Sequence, residues 1–394
     1  MNNVKIKTRV ALSRRSCARC ASFAGPRMKA LLTLLLAGVA AGRADAATNL
    51  NLAYASVSQA QKLDLYVPNT TNGPLPLIIR IHGGAFLGGD KSSEAGSVPA
   101  LQARGYAVAS LNHRLSGEAS FPAGAQDVKA AVRWLRANAA TYGIDPNRFA
   151  AWGWSAGAYF APLLGVTGDQ TTVFDDFSLG NSNVSSAVQA VISWYGLVDF
   201  GTMDSQQEAN PPASCPTSWL RHNPANSPES VWLGGALPTI PDTVAQANLT
   251  NYMATAGRLP PFLIVHGNND CLVPWGQSAE MHWALTNRGG ISELHIMPGW
   301  SHGDSRFAST QTTPALDFLD LHLNAQPSVA VRTDSAQLEI SWPSAAAGFN
   351  LQWTSGLQNS ETWDSVTNAP FNSNGVSSVV LPLDSPQRFF RLAR

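Results

Sequence analysis

Strand-like and helix-like segments alternate along the chain from about residue 47 to residue 324. Short apolar runs predict strands at 62–67, 75–81, 106–111, 149–152, 187–193, 261–265 and 293–297. Apolar residues at helical spacing predict helices over 126–139 and about 315–323. Strands interleaved with helices predict the α/β class, with a doubly wound, mostly parallel sheet covered on both faces.

The stretch 201–251 interrupts this alternation. It is rich in Pro, Asn and Ser and carries Cys215, Trp219 and Trp232. A long insertion in an α/β domain is more often a lid or a substrate-side cap than a loop without structure. We therefore expect a cap, while an irregular loop stays the alternative.

A change of pattern after about residue 325 predicts a second domain. Leu338, Ile340 and Trp342 alternate with polar residues, and turn-forming residues separate such segments. This pattern predicts a large α/β domain over 47–325 and a small all-β module, of sandwich type, over 326–394. Its aromatic residues favour core packing, and carbohydrate binding, sorting or attachment are the alternatives.

The first 46 residues have the pattern of a signal peptide with a basic N-terminal extension. Met28 and Lys29 precede an apolar run at 30–41, and Ala44-Asp45-Ala46 follows as a small-x-small cleavage site. We expect cleavage near Ala46 and a secreted or periplasmic protein, with translation starting at Met1 or Met28. A membrane anchor is the alternative, although the apolar run is short for a bilayer.

The charge balance bears on possible partners. Lys plus Arg and Asp plus Glu number 26 each, which gives a formal net charge of zero. This argues against a nucleic-acid partner, which normally requires a basic excess or stripe. The low charged fraction of 13% is common in exported proteins. The sequence after residue 46 has no polybasic patch that would predict a stable membrane anchor. The oligomeric state is left open by the sequence.

Gly153-Trp154-Ser155-Ala156-Gly157 lies between a predicted strand and a helix-like segment. In such a motif, the serine occupies a sharp turn where neighbouring backbone leaves no room for side chains at the two glycines. The helix that follows directs backbone N–H groups at the reaction centre. This setting predicts Ser155 as a nucleophile.

His82-Gly83-Gly84-Ala85-Phe86 follows another buried strand. Small residues in this position let backbone N–H groups face a pocket. We expect the amides of Gly84 and Ala85, with that of Ala156, to form an oxyanion hole. A tight turn without function would be the alternative for an isolated His-Gly-Gly.

A general base and its orienting acid should follow the serine in the order Ser, Asp, His. Asp270 and His302 both come directly after predicted strands, where an open α/β sheet builds its site. His302 would take the Ser155 proton and return it to the leaving group, with Asp270 orienting the ring. Asp199 is the rival acid. Asp304 lies too near His302 in sequence for its carboxylate to face the His302 ring across the site.

Two further features concern the surroundings of this site. Cys215 and Cys271 are an even pair in a predicted oxidising compartment, which favours a disulfide beside Asp270, with two free thiols as the alternative. Trp154, Trp275 and Trp300 flank the predicted catalytic positions and are candidates for a substrate pocket or for the core. We expect no metal and no cofactor, because zinc-type ligand spacings and a phosphate-binding loop are missing from the sequence.

Together these motifs resemble the hormone-sensitive-lipase-like branch of the α/β-hydrolases, and most closely the bifunctional feruloyl and acetyl-xylan esterase-like (BD-FAE-like) group. The similarity covers most of 47–324 and includes NHRLSGE at 112–118, DVKAAVRWLR at 127–136, YGIDP at 142–146 and WYG at 194–196. The resemblance implies a secreted or cell-wall-directed carboxylesterase that acts through Ser155, Asp270 and His302 without a cofactor. Its substrates would be small or polysaccharide-linked esters, with acetyl and feruloyl groups as the plausible acyl parts.

The sequence also departs from that group. Ala85 replaces a common third glycine, Trp154 replaces a small residue beside the nucleophile, and Ala158 and Tyr159 alter the start of the following helix. These departures bear on acyl-group preference.

Two other functions remain alternatives. A prolyl-oligopeptidase-like serine peptidase shares the order Ser, Asp, His, but usually carries a propeller ahead of the hydrolase core, where this chain has only a short segment between Ala46 and His82. A non-catalytic binding module on a hydrolase scaffold would usually lose the nucleophile or the histidine, which this chain retains.

Overall fold

The structure is a computed structural model that describes residues 47–69, 74–324, 329–333, 337–343, 350–355, 362–373, 376–382 and 388–393. The predicted signal peptide, 1–46, lies outside these residues. No helix in the described ranges is both long enough and apolar enough to span a membrane. Residues 47–324 belong to one compact unit, and the described residues from 329 onward belong to another.

An eight-stranded sheet forms the centre of the larger unit, as predicted for the α/β class. Its strands are β1 (Ala47–Ala53), β2 (Lys62–Val67), β3 (Leu75–Ile81), β4 (Ala107–Leu111), β5 (Ile144–Trp154), β6 (Ala190–Trp194), β7 (Phe262–Gly267) and β8 (Ser292–Met297). Their order is β1-β2-β4-β3-β5-β6-β7-β8. Strands β1 and β2 pair antiparallel with their neighbours, and every other pairing is parallel.

Helices and apolar side chains cover both faces of this sheet. The helices are α1 (Val98–Ala103), α2 (Ala123–Ala137), α3 (Gly157–Thr167), α4 (Met203–Ala209), α5 (Pro228–Leu233), α6 (Pro241–Ala247), α7 (Leu249–Thr255), α8 (Gly276–Thr286) and α9 (Arg306–Leu319). In β3, Leu77 and Ile79 join one apolar layer while Ile78 joins the other. A central parallel strand is buried on both faces, which is why this segment is continuously apolar in sequence.

The register of the parallel strands brings the site residues to one edge of the sheet. Ile81 is paired with Gly153, Trp154 with Trp194, and Gly267 with Met297. The segments that follow β3, β5, β6, β7 and β8 therefore begin side by side. They carry the predicted oxyanion loop, nucleophile, acid and base.

Element boundaries differ from the sequence predictions at several points. The strand predicted at 187–193 begins three residues later, in β6, and the helix predicted at 315–323 is the end of the longer α9. Residues 320–324 continue α9 as a π-helical turn. Apolar patterning locates the buried part of an element better than its solvated ends.

The insertion 201–251 is ordered and helical. It contains α4 to α6, the first residues of α7 and a 3₁₀ turn at Leu237–Thr239. Two of its prolines begin α-helices: Pro228 and Pro241 occupy first-turn positions, where the missing N–H costs no hydrogen bond.

The C-terminal unit consists of antiparallel strands, as its period-two pattern predicts. They are β9 (Ala330–Thr333), β10 (Gln337–Pro343), β11 (Asn350–Thr354), β12 (Asp364–Ser365), β13 (Phe371–Ser373), β14 (Val376–Pro382) and β15 (Phe389–Ala393). They form one sheet ordered β13-β14-β10-β9 and another ordered β12-β11-β15. Ile340, Trp342 and Leu351 are among the side chains of the apolar core.

Candidate active site

Ser155 occupies a sharp turn between β5 and α3, with a φ angle of 54°. A Cβ atom on Gly153 would lie 2.0 Å from the carbonyl oxygen of Gly157, and one on Gly157 would lie 2.1 Å from that of Ile81. Only glycine fits at either position. The Gly-x-Ser-x-Gly spacing is thus required by backbone packing around the serine.

Ser155, His302 and Asp270 form a continuous hydrogen-bonded chain. The Nε2 atom of His302 lies 2.9 Å from Ser155 Oγ, and its Nδ1 atom lies 2.7 Å from Asp270 Oδ2. Because a carboxylate can only accept, the hydrogen of the neutral ring is on Nδ1, and Nε2 is free to accept the serine proton. This is the arrangement of a nucleophile, a general base and an orienting acid.

Asp270 is buried yet well supplied with donors. The backbone N–H groups of Leu272 and Val273 donate to its Oδ1 atom at 2.8 and 2.9 Å. Burial by itself would raise the pKa of this carboxyl, but electrostatic interactions and hydrogen bonds with His302 and His266 hold the pKa well below its ordinary value. Asp270 is therefore ionised wherever His302 can act as a base.

Asp199, the rival acid, has a different role. Its Oδ1 atom accepts the N–H of Gly201 at 2.8 Å, and its own N–H is bound by Gln277. The carboxylate in contact with His302 is that of Asp270.

His266 is a member of the site whose role the sequence interpretation missed. It is the penultimate residue of β7, before Gly267, and its Nε2 atom lies 3.2 Å from Asp270 Oδ2. The Nδ1 atom on the other side of the ring lies 2.7 Å from Ser278 Oγ. The signal in the sequence was a histidine at the end of a buried strand, four residues before the acid.

Tyr195 packs against the base. Its ring meets that of His302 edge to face, with centroids 4.9 Å apart. Tyr195 directly follows β6 and has a φ angle of 40°, a conformation uncommon for a bulky residue. Burial raises the pKa of its hydroxyl, so the side chain is neutral in the working pH range.

The predicted oxyanion loop adjoins the nucleophile. A Cβ atom on Gly83 would lie 2.9 Å from Ser155 Cβ, and Gly84, Ala85 and Phe86 all have positive φ angles. Within residues 74–324, no acceptor takes a hydrogen bond from the N–H of Gly84 or Ala85. These amides are available to a ligand, and their role in an oxyanion hole stays a prediction, as does that of Ala156 at the start of α3.

Aromatic packing fixes the far end of this loop. The rings of Phe86 and Trp232 stack at 4.3 Å with an interplanar angle of 9°. Trp232 belongs to α5 in the insertion, and its carbonyl accepts the N–H of Phe121 at 2.8 Å. The insertion therefore contributes directly to the shape of the loop.

The near end of the loop is held by two buried histidines. His82 and His113 stack with centroids 4.9 Å apart, and His82 Nδ1 lies 2.7 Å from the carbonyl oxygen of Gly83. Burial lowers the pKa of both, that of His113 to about 3. Both rings are accordingly neutral packing elements.

The insertion also contacts the loop that carries Asp270. Cys215 and Cys271 form the predicted disulfide. Gln207 Nε2 donates to the carbonyl oxygen of Asp270 at 2.9 Å, and the N–H of Leu220 donates to that of Cys271 at 2.9 Å. The segment expected as a cap is therefore also a brace for the acid.

The three candidate pocket tryptophans lie in different environments. Trp154 is half-buried beside Gly83, and Trp275 is half-buried at the start of α8. Trp300 is buried and packs edge to face against Phe307. Of the three, Trp154 is the one whose indole contacts the oxyanion loop. Membership of a substrate pocket stays a prediction for all three.

Among the residues that the structure describes, no group of three or more His, Cys, Asp or Glu side chains is placed to hold a metal ion.

Comparison with known proteins places this geometry in a family. The profile of the BD-FAE family matches residues 63–285, more than half of the chain. A solved truncated carbohydrate esterase from gut microbiota is 32% identical with a TM-score of 0.63, over 72% of this chain and 99% of that one. A bifunctional GH43-CE protein of Bacteroides eggerthii is 31% identical with a TM-score of 0.60, over 69% of this chain and 37% of that one.

Two curated relatives give a similar result at lower identity. Esterase LipC of Mycobacterium tuberculosis is 27% identical over 67% of this chain and 62% of its own length. A probable carboxylic ester hydrolase of the same organism, LipM, is 29% identical over 59% of this chain and 51% of its own length. The chain thus spans about half to three fifths of the length of these curated relatives.

Proposed function

Because the chain belongs to the BD-FAE family, we propose that it is a serine carboxylic ester hydrolase that works through a covalent acyl-enzyme. The observation that carries the proposal is the hydrogen-bonded chain from Ser155 Oγ through His302 to Asp270. The esterase names of its relatives support the same reaction class.

The first half of the reaction forms the acyl-enzyme. Ser155 Oγ attacks the ester carbonyl carbon while His302 Nε2 takes the proton of the serine. The amides of Gly84, Ala85 and Ala156 bind the negative oxygen of the tetrahedral intermediate. His302 then gives the proton to the leaving alcohol, and the acyl group stays on Ser155.

The second half repeats these steps with water. His302 takes a proton from water, the hydroxide attacks the acyl carbonyl, and the proton returns to Ser155 as the carboxylic acid leaves. Throughout, Asp270 keeps the ring of His302 oriented and stabilises its charged form.

The proposed substrates are acetyl or feruloyl esters carried on a small molecule or a polysaccharide. The similarity to a solved carbohydrate esterase along nearly its whole length supports this class. We also propose export through the leader at 1–46. The Cys215–Cys271 disulfide supports an oxidising compartment.

The test compares wild type, Ser155→Ala and a control, Ser309→Ala, which changes an exposed serine on α9. Substrates are p-nitrophenyl acetate, acetylated xylan, methyl ferulate, short-chain glycerides and a prolyl peptide. We expect ester hydrolysis by wild type and Ser309→Ala, and an acyl adduct on Ser155 by mass spectrometry. Activity retained by Ser155→Ala would overturn the mechanism, and preference for the peptide would overturn the bond assigned.

Two further outcomes bear on the finer claims. Hydrolysis of glycerides without any hydrolysis of acetylated xylan or methyl ferulate would overturn the substrate class alone. Expression in a bacterium, followed by N-terminal sequencing of the periplasmic protein, should give a chain that begins at Ala47. An uncleaved chain in the cytoplasm would overturn export.

A further inference from the structure

Trp154 lies directly beneath the oxyanion loop. It is the last residue of β5, next to Ser155, and its indole faces the backbone of Gly83. A Cβ atom on Gly83 would lie 2.5 Å from Trp154 Cζ3. The backbone of Gly83 is thus confined between this indole and Ser155, one residue before the amide of Gly84.

A buried carboxylate fixes the indole. Trp154 Nε1 donates a hydrogen bond to Glu94 Oε1 at 2.6 Å, and Glu94 is 3% exposed. A hydrogen bond to an ionised acceptor is about twice as strong as one between neutral groups. The ring is therefore held in one orientation.

A buried guanidinium in turn fixes the carboxylate. Arg80 Nε donates to Glu94 Oε2 at 2.7 Å, and Arg80 Nη2 lies 2.6 Å from the same oxygen. Burial alone would raise the pKa of Glu94, but Arg80 and Trp154 hold it below its ordinary value. The guanidinium also lies 4.3 Å above the ring of Trp152.

These contacts link the two segments that flank the oxyanion loop. Arg80 precedes the loop on β3, and Glu94 follows it in the 3₁₀ segment Lys91–Ser97. The Glu94 carboxylate therefore connects the segment after the loop with the strand before it and with the residue before the nucleophile.

We propose that Glu94 and Trp154 are positioning residues that set the oxyanion amides relative to Ser155, an inference that rests on the proposed function. Oxyanion contacts act on the transition state more than on bound substrate. Loss of the contact should therefore lower kcat and leave KM nearly constant. Folding defects would instead reduce the number of active sites.

The test uses Glu94→Gln, which places an amide N–H₂ or a neutral oxygen against Arg80 or Trp154, and Trp154→Phe, which removes the N–H donor. Trp134→Phe is the matched control, because Trp134 is a half-buried indole on α2 that packs against Tyr142. Active sites are counted by fluorophosphonate labelling of Ser155, and kcat for p-nitrophenyl acetate is expressed per labelled serine. The labelling rate is a second readout, since phosphonylation also develops charge on an oxygen.

We expect each variant to lower kcat per labelled serine by about 10-fold to 100-fold, with KM changed less than about threefold. The labelling rate should fall in parallel. Trp134→Phe should keep both rates. The double variant should be no slower than the slower single variant, because both changes remove one contact.

Unchanged kcat per labelled serine in both variants would overturn the inference, as would effects of the two changes that multiply. If Glu94→Gln does not fold, Trp154→Phe decides alone. Retained hydrolysis by Ser155→Ala would overturn the proposed function, an outcome distinct from any result at Glu94 or Trp154.

Discussion

His266 Nε2 lies 3.2 Å from Asp270 Oδ2, the same oxygen that faces His302. The carbonyl oxygen of Val273 lies 3.1 Å from this nitrogen as well. Two acceptors facing one nitrogen assign the ring hydrogen to Nε2, and Nδ1 accepts from Ser278. His266 is therefore a positioning residue that orients the carboxylate as the carboxylate orients His302.

Replacement of His266 should reduce both activity and stability. His266→Ala removes a donor to a buried carboxylate, a contact worth about 1.5–3 kcal/mol, which would correspond to about 10-fold to 150-fold in kcat if it acted wholly on the transition state. Cavity formation should lower the unfolding free energy by about 2–4 kcal/mol. Kinetics per titrated Ser155 and urea unfolding measure the two effects. In the control Ser278→Ala, the contact with Asp270 remains and kcat should change less; equal losses would argue against the role of His266.

Acid should destabilise the fold in a window set by His113. Burial lowers its pKa from the ordinary 6.5 to about 3, so between these values the unfolded chain binds a proton that the folded chain does not. The unfolding free energy should thus fall as pH drops below about 6.5, by at most about 1.4 kcal/mol per pH unit for this group. The contribution of His113 to this loss should level off below about pH 3, its pKa in the folded protein.

Urea unfolding of wild type and His113→Gln at several pH values checks this window. The variant, which lacks the titrating ring, should have a shallower slope between pH 6.5 and pH 4. Parallel slopes in the two proteins would assign the acid sensitivity to other groups, such as His82.

Loss of the Cys215–Cys271 bridge should weaken the fold and the site together. The cross-link joins residues separated by 56 positions, and loop-closure entropy predicts a stabilisation of about 4 kcal/mol. Cys215→Ser with Cys271→Ser should also lower kcat, because Cys271 adjoins Asp270. Reducing agent should reproduce both effects in wild type and have none in the double variant. Full activity of the reduced enzyme would show that the remaining hydrogen bonds suffice to hold the acid.

The edge-to-face contact of Tyr195 with His302 should contribute to catalysis through the ring. Tyr195→Phe keeps the ring, whereas Tyr195→Leu removes an aromatic contact worth about 0.5–1.5 kcal/mol beyond area burial. We expect kcat of the Leu variant to be about 2-fold to 10-fold below that of the Phe variant. A lower kcat for Phe than for Leu would instead point to the hydroxyl.

Gly157 should tolerate no side chain. A Cβ atom there would lie 2.1 Å from the carbonyl oxygen of Ile81, so Gly157→Ala should displace the nucleophile turn or prevent folding. Gly96→Ala is the matched control, since nothing lies within 4 Å of its added Cβ. Circular dichroism, melting temperature and esterase activity should separate the two variants. Wild-type activity in Gly157→Ala would contradict the packing described for the turn.

Local sequence patterns predicted the parallel sheet because its central strands are buried on both faces and appear as apolar runs. The positions of Ser155, Asp270 and His302 followed from the rule that such sheets place chemistry after the ends of strands. Local patterns do not predict contacts between side chains that are far apart in the sequence. The bond from Glu94 to Trp154 and the stack of Phe86 on Trp232 join residues far apart in sequence, and nothing local marks either pair.

Composition indicates only part of the role of residues 201–251. A long insertion rich in Pro, Asn and Ser favours a cap, and that expectation stays a prediction. In the fold, polar residues of this stretch also occupy N-cap positions of short helices, as Ser227 does in α5. Buried side chains of the insertion also contact the two loops of the site. Gln207 binds the acid loop and Trp232 packs against the oxyanion loop, and composition does not predict either contact.

This dual attachment of the insertion has a practical consequence for protein engineering. Gln207, Cys215 and Trp232 reach two different catalytic loops from one segment. A chimaera that exchanges 201–251 between relatives would therefore replace supports of the reaction centre along with any surface that selects the substrate. The smallest block that could be exchanged is the segment together with the residues that contact it, around Phe86 and at 269–273.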